Sequence, residues 1–155
     1  MQRSPRPFSL LAAAALSAVL LNAHAQQVAI LAAESGLFSE PSSQILSFVP
    51  SSRLPLRDGQ SFGWRIKVQT TKKRVLVQEE VILPSEPKTW GDPEPDLKRR
   101  TSPDGRMATS QYELEPQAGY IFNSWVVTTG DPRGTWIIRV TVEGNPPQTF
   151  RFQAQ

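Results

Sequence analysis

Hydrophobic and polar residues alternate along several short stretches of this chain, as they do in half-buried β-strands. The clearest case is segment 62–69, in which aromatic and aliphatic side chains occupy every second position. A second segment, 74–83, carries valines in phase, and the polar residues 70–73 separate the two. We therefore expect the two segments to pair as a hairpin. Glu79 falls in the same phase as the valines, which predicts a bulge or a bend at that position.

Further strands are predicted wherever apolar residues recur between turn signals. The chain has 14 prolines and nine glycines, and no long segment has helical periodicity. Seven or eight short strands joined by turns predict an all-β fold, an antiparallel immunoglobulin-like β-sandwich. A small barrel is the alternative closure. The additional strand candidates are 28–33, 45–49, 106–115, 119–129, 135–143 and 148–153.

One long segment, 84–105, interrupts the strand pattern. It contains five prolines and two glycines, which disfavour a regular strand or helix across it. Loops of roughly 20 residues inside compact domains are usually functional or disordered. The sequence therefore predicts a long proline-rich loop here, and it is the first place to look for a binding site.

The N-terminus has the three parts of a secretory signal peptide. Arg3 and Arg6 give a positive start, an apolar run follows over 8–21, and the small residues Ala23 and Ala25 form an A-x-A end. An uncleaved membrane anchor is the alternative, but the run is shorter than the roughly 20 residues that a spanning helix needs.

Cleavage after Ala25 divides the chain into a signal peptide, 1–25, and a single mature domain, 26–155. We expect this mature domain to be periplasmic or secreted and not to span a membrane. The leader arginines contribute to the formal net charge of +3, so the mature domain is closer to neutral. Its charge therefore gives no reason to expect nucleic acid as a partner.

Composition excludes several kinds of chemistry. The chain has no cysteine, and its single histidine, His24, lies in the predicted signal peptide. The mature domain therefore lacks thiol nucleophiles, zinc–thiolate sites, histidine metal sites and Ser-His-Asp catalysis. No cofactor and no metal are expected, and we predict a protein that is not an enzyme.

A pattern of turn and core residues marks the last third of the chain. Its residues are Gly119-Tyr120, Trp125, Gly130-Asp131-Pro132-Arg133-Gly134-Thr135-Trp136, Val140, Gly144 and Phe150, with Phe62-Gly63-Trp64 and Leu83-Pro84 upstream. This pattern resembles the final strands of exported bacterial immunoglobulin-like domains of unknown function, and the resemblance extends more weakly over 35–152. It implies a fold and an exported location, but no catalytic residues.

The tryptophans divide into two groups. Trp64, Trp125 and Trp136 lie in strand candidates and are expected in the core, where a large aromatic contributes much of a small domain's stability. Trp90 lies in the proline-rich loop. There it can anchor a partner or stack on a sugar, or it can fold back as a lid over the edge of the sandwich.

Charged residues of the same loop give the other binding candidates. Lys98, Arg99 and Arg100 form a basic cluster, and we name Trp90, Arg99 and Arg100 as the candidate binding residues. The alternating acids of 92–96 lack the pattern of a calcium loop, so we expect no metal there. The pairs Glu79–Glu80 and Glu113–Glu115 are interpreted as strand-surface residues and not as catalytic carboxylates.

These observations favour a non-enzymatic binding or accessory domain of the envelope, acting through protein–protein interaction. A carbohydrate-binding or carbohydrate-active envelope module is the alternative, motivated by Trp90 and the carboxylates. A structural envelope subunit is a third hypothesis, which domain size and edge strands permit. The expected partner is thus an envelope protein or a glycan.

Overall fold

The computed structural model describes residues 28–39, 47–92 and 97–155, and all regular structure within these ranges is β-strand. A helix long and apolar enough to cross a membrane is not found among them. The signal peptide, with its cleavage residues Ala23 and Ala25, lies outside the described residues. The strands are β1 Ala29–Ser39, β2 Ser47–Pro50, β3 Arg53–Leu54, β4 Ser61–Gln69, β5 Val75–Ile82, β6 Lys98–Thr101, β7 Met107–Leu114, β8 Tyr120–Val126, β9 Gly134–Val142 and β10 Gln148–Ala154.

These ten strands form two sheets. Sheet A has the order β2-β1-β4-β8, and sheet B has the order β3-β10-β9-β5-β7-β6. All pairings are antiparallel except that of β3 with β10, which is parallel. The predicted antiparallel β-sandwich is confirmed. The strand number exceeds seven or eight, because the short strands β3 and β6 gave no alternating pattern long enough to identify.

The hydrophobic core lies between the two sheets. The inward phase of β4 is fully buried, as predicted, and it faces the inward phases of β5, β9 and β10. Trp64 stacks on Phe150 with the ring planes 2° apart, and Phe62 packs edge-on against Trp136 and Phe152. Aromatic contacts between the sheets therefore hold the sandwich together.

The predicted hairpin of segments 62–69 and 74–83 is wrong. β4 belongs to sheet A and pairs with β1 and β8, whereas β5 belongs to sheet B and pairs with β7 and β9. The polar residues 70–73 carry the chain from one sheet to the other. Alternation identifies a strand, but it does not identify the strand's neighbour.

The predicted loop 84–105 is correct in part. Residues 84–92 lack regular structure, but β6, Lys98–Thr101, forms a short edge strand that pairs with β7. The four residues of β6 include no proline or glycine, so this strand fits between the breakers. The basic cluster is therefore held on a strand.

Glu79 lies on β5 without the bulge or bend that its position predicted. Its pairings with Ser110 on β7 and with Val140 on β9 continue the registers of the neighbouring residues without a shift. The Glu79 side chain points into the sandwich and is 1% exposed. This carboxylate is buried in the space between the two sheets.

Candidate functional site

Four side chains donate hydrogen bonds to the buried carboxylate of Glu79. Oε1 accepts from Nε1 of Trp64 at 2.7 Å and from Nε1 of Trp125 at 3.2 Å. Oε2 accepts from the hydroxyl of Tyr112 at 2.8 Å and from Nδ2 of Asn123 at 2.9 Å. A carboxylate has about four acceptor positions, so its capacity is met in full. These donors replace the water that the carboxylate loses on burial.

The strand arrangement brings these residues together. Tyr112 lies on β7 of sheet B, while Asn123 and Trp125 occupy alternate, inward-facing positions on β8 of sheet A. Their hydrogen bonds to Glu79 therefore join the two sheets near one edge of the sandwich. We call these three residues, together with Trp64 and Glu79, the Glu79 cluster.

Gly63 sets the approach of β8 to β4 beside this cluster. It is buried on β4, next to Trp64, and pairs with Ser124. A Cβ at this position would overlap the main-chain carbonyl oxygen of Asn123. Glycine therefore allows the close strand approach that places Asn123 against Glu79.

The environment of Tyr112 shifts its ionisation. Burial, followed by the negative charge of Glu79 and its hydrogen bond with the phenol, raises the pKa of Tyr112 well above its ordinary value. The phenol therefore remains a hydrogen-bond donor to the carboxylate over the physiological pH range. It positions the Glu79 carboxylate.

A cleft of about 780 Å³ opens beside the Glu79 cluster. It lies between β8, the last strand of sheet A, and the β7–β6 end of sheet B. Its lining includes Arg99, Ser110 and four members of the cluster, Glu79, Tyr112, Asn123 and Trp125. The cleft is therefore the open mouth of the sandwich, with the buried carboxylate at its inner end.

Arg99 projects from β6 into this region. Its Nη1 donates to the carbonyl oxygens of Trp90 at 2.7 Å and Gly91 at 3.3 Å. Its Cζ lies 4.8 Å from the ring centroid of Trp125, in a cation–π contact. Burial lowers the pKa of Arg99, and the charge of Glu79 opposes that shift. Arg99 thus ties the proline-rich segment to the cleft.

Trp90 folds back over the edge of the sandwich. Its Nε1 donates to the carbonyl oxygen of Gly105 at 2.9 Å, and its ring meets that of Trp125 edge-on, with centroids 6.1 Å apart. A smaller pocket of about 250 Å³ lies beneath it and is lined by Phe62, Trp125 and Trp136 as well. Trp90 therefore has the position of the lid considered from the sequence, at the margin of the cleft.

The structure separates the two arginines named from the sequence. Arg99 points towards the cleft, whereas Arg100 is exposed and lies beside Glu80 and Arg139 on the outer face of sheet B. Trp90 and Arg99 are thus brought together, and Arg100 is not part of their site. Trp64 and Trp136 are core residues, while Trp125 is half-buried at the cleft.

Sequence reasoning missed the centre of the site. Glu79 was interpreted as part of a surface pair, but it points inward while Glu80 lies on the opposite face. Tyr112, Asn123 and Ser110 were not singled out. The available signal was that Glu79 lies in the same phase as the buried valines of its strand. Such a position predicts either a bulge or a buried carboxylate whose oxygens accept hydrogen bonds from other side chains.

The side chains around the cleft offer groups that can bind a ligand. All acceptor positions of Glu79 are taken, so it has no lone pair with which to accept a substrate proton. A group of three or more candidate metal-ligating side chains does not occur within the described ranges. The cleft instead presents indole, phenol, amide and guanidinium groups, which recognise ligands by hydrogen bonding and packing.

Comparisons with known proteins agree with the fold. A protein-family model described as the PM0630 beta sandwich domain matches residues 33–155. A solved structure of an immunoglobulin-like protein from Pseudomonas aeruginosa aligns with a TM-score of 0.54 at 18% identity, covering 84% of this chain and 99% of that one. A search of curated proteins finds no match. At this identity, the structural likeness supports the fold alone.

Proposed function

The chain belongs to the PM0630 beta sandwich domain family, and we propose that it is a non-enzymatic binding module of the bacterial envelope that recognises a protein partner. The observation that carries the proposal is the cleft between the edge strands β8 and β6, with Arg99 and Trp90 at its margin. Sheet edges are common sites of protein recognition, because their main-chain groups can pair with an incoming strand.

The predicted signal peptide supports the same proposal. The leader 1–25 has the composition of a signal peptide, and the domain that follows needs no cysteine to fold. The expected location is the periplasm, or the medium if the protein is secreted. The expected partner is an envelope protein that meets the domain there.

Photocrosslinking in cells tests the site directly. A photoreactive amino acid at Ser124, an exposed cleft residue of β8, is compared with one at Arg139, exposed on the outer face of sheet B. We expect a protein to crosslink from Ser124 and not from Arg139. The Ser124 crosslink should weaken when Trp90→Ala and Arg99→Ala are added. Equal crosslinking from both positions, or no effect of the two substitutions, would show that the cleft is not the binding site.

Carbohydrate binding is the second candidate, because the cleft places Tyr112, Asn123 and Trp125 together, and such aromatic and amide groups also bind sugars. Isothermal titration of the mature domain with peptidoglycan fragments and common polysaccharides tests it. Heat that is lost in the Trp125→Phe variant would support this candidate. The absence of heat with every glycan would remove it.

A further inference from the structure

Two buried polar atoms at the cleft have no hydrogen-bond partner among the described residues. They are Nε of Arg99 and Oγ of Ser110. Ser110 is 2% exposed, so its hydroxyl is withdrawn from water as well. A buried donor without a partner costs about 1–3 kcal/mol, and native structures retain few of them. A cost of this kind is expected where a ligand supplies the missing partner.

The two residues are neighbours. Arg99 on β6 pairs directly with Ser110 on β7, and both residues line the cleft. Directly opposed residues of an antiparallel pair have Cβ atoms roughly 5 Å apart. Their two donors can therefore meet on a single acceptor atom.

The charges around the cleft identify the kind of acceptor. Positive and negative side chains are equal in number among the lining residues that the structure describes, so the lining favours neither an anion nor a cation. A neutral oxygen is the acceptor that fits. The charged lining residues are Arg74, Lys98 and Arg99 against Glu79, Asp92 and Glu113.

We propose that Arg99 Nε and Ser110 Oγ bind a main-chain carbonyl oxygen of an extended peptide segment of the partner, laid in the cleft between β6 and β8. This proposal rests on the proposed function and narrows the partner to a chain that offers an unpaired strand. A peptide carbonyl is neutral and has two lone pairs, so it can accept both donors. The edge strands on either side of the cleft suit an extended ligand.

The segment that carries Trp90 contacts the same guanidinium. Nη1 of Arg99 donates to the carbonyl oxygens of Trp90 and Gly91. Because one guanidinium carries both Nη1 and Nε, a ligand bound at Nε lies next to this segment. Binding is therefore expected to change the environment of the Trp90 indole.

The experiment uses a phage-displayed library of random linear peptides selected on the mature domain, followed by calorimetry with the selected peptides. Ser110→Ala should weaken binding about fivefold, as expected for one lost neutral hydrogen bond, and Arg99→Lys should weaken it at least as much. The matched controls are Thr109→Ala and Arg100→Lys, neighbouring positions outside the cleft lining. They should leave the affinity within about twofold, since surface substitutions away from a site have small effects.

The stability of the Ser110→Ala variant separates a ligand-binding role of the hydroxyl from a structural one. Because the hydroxyl has no partner in the free protein, removing it should leave the urea midpoint unchanged or raise it while the affinity falls. A clear loss of stability in Ser110→Ala would overturn the proposal, since it would show that the hydroxyl is already bonded internally.

The outcomes separate the two proposals. If crosslinking from Ser124 captures a protein but the Ser110→Ala and Arg99→Lys substitutions leave its capture and the peptide affinities unchanged, the carbonyl site is wrong and the binding function stands. If Ser124 captures no protein and no peptide is selected, the proposed function itself fails.

Discussion

Nε1 of Trp64 and Oε1 of Glu79 are 2.7 Å apart in the space between the two sheets, and this hydrogen bond joins sheet A to sheet B. Most contacts between the sheets are apolar and non-directional, but this one fixes a distance and an angle. Three further donors meet the same carboxylate, so Glu79 locks β4, β7 and β8 into one relative arrangement. The walls of the cleft therefore share one buried anchor.

Substituting Glu79 should lower the free energy of unfolding much more than substituting its neighbour Glu80. Glu79→Gln replaces one acceptor oxygen with an NH₂ donor that faces other donors, so we expect the free energy of unfolding to fall by about 2–4 kcal/mol. Glu80→Gln removes a half-exposed carboxylate in a surface ion pair with Arg139 and should cost less than about 1 kcal/mol. Urea denaturation of both variants checks this. Equal losses would show that Glu79 contributes no more than a surface residue.

The phenol of Tyr112 should lose its proton only at a pH well above the ordinary pKa of tyrosine. In the folded protein its pKa is raised above the unfolded value, so its contribution to stability is fully present below about pH 10 and is lost as the pH rises towards the folded pKa. The chain has two tyrosines, and in the Tyr120→Phe variant the tyrosinate absorbance belongs to Tyr112 alone. We expect a midpoint well above pH 10, close to alkaline unfolding. Titration of the phenol near pH 10 in the folded state would contradict the buried contact with Glu79.

Gly63 should tolerate no side chain. The Cβ of Gly63→Ala would overlap the carbonyl oxygen of Asn123, so β8 has to move away from β4. We expect a loss of about 1–3 kcal/mol, as for other overpacked positions, together with weaker ligand binding, since Asn123 moves with its strand. Ser124→Ala, on the facing residue, is the control and should change stability by less than about 0.5 kcal/mol. A stable Gly63→Ala variant would argue against the close strand approach.

Signal cleavage is open to a direct test. When the full chain is produced in a bacterial host, the mass of the purified periplasmic protein should correspond to a start at Gln26. Ala25→Leu should leave the precursor uncleaved or shift the cut, because the A-x-A end requires small residues. Recovery of the intact chain in the membrane fraction would instead support the alternative that residues 8–21 act as an uncleaved membrane anchor.

Most of the fold could be predicted, because it depends on local alternation. The inward phases of β4, β9 and β10 are buried as their sequences indicate, and the breakers mark the turns between them. Strand partners could not be predicted, because pairing depends on residues far away in the chain. β4 accordingly pairs with β8 and not with β5, its neighbour in sequence.

The candidate site could be predicted only at its margin. Trp90 and Arg99 were found because an aromatic and a cation among prolines are unusual. Glu79 was found but interpreted wrongly, since its four donors come from three other strands and no local pattern links them. Ser110 gave no signal, because an unpartnered hydroxyl is a property of the fold and not of the sequence.

The order of strands within the sheets also governs when this chain can fold. β3 follows β2 closely in sequence, yet its sheet partner is β10, the last strand. One of the two neighbours of β4 is β8, which lies in the second half of the chain. Pairings between such distant segments form slowly, since a long loop must close before any contact forms. Neither sheet is complete until the second half of the chain is present. A nascent chain with this topology has no complete sheet while its first half is being made, and an unfolded chain of that kind is what the predicted signal peptide would direct across a membrane.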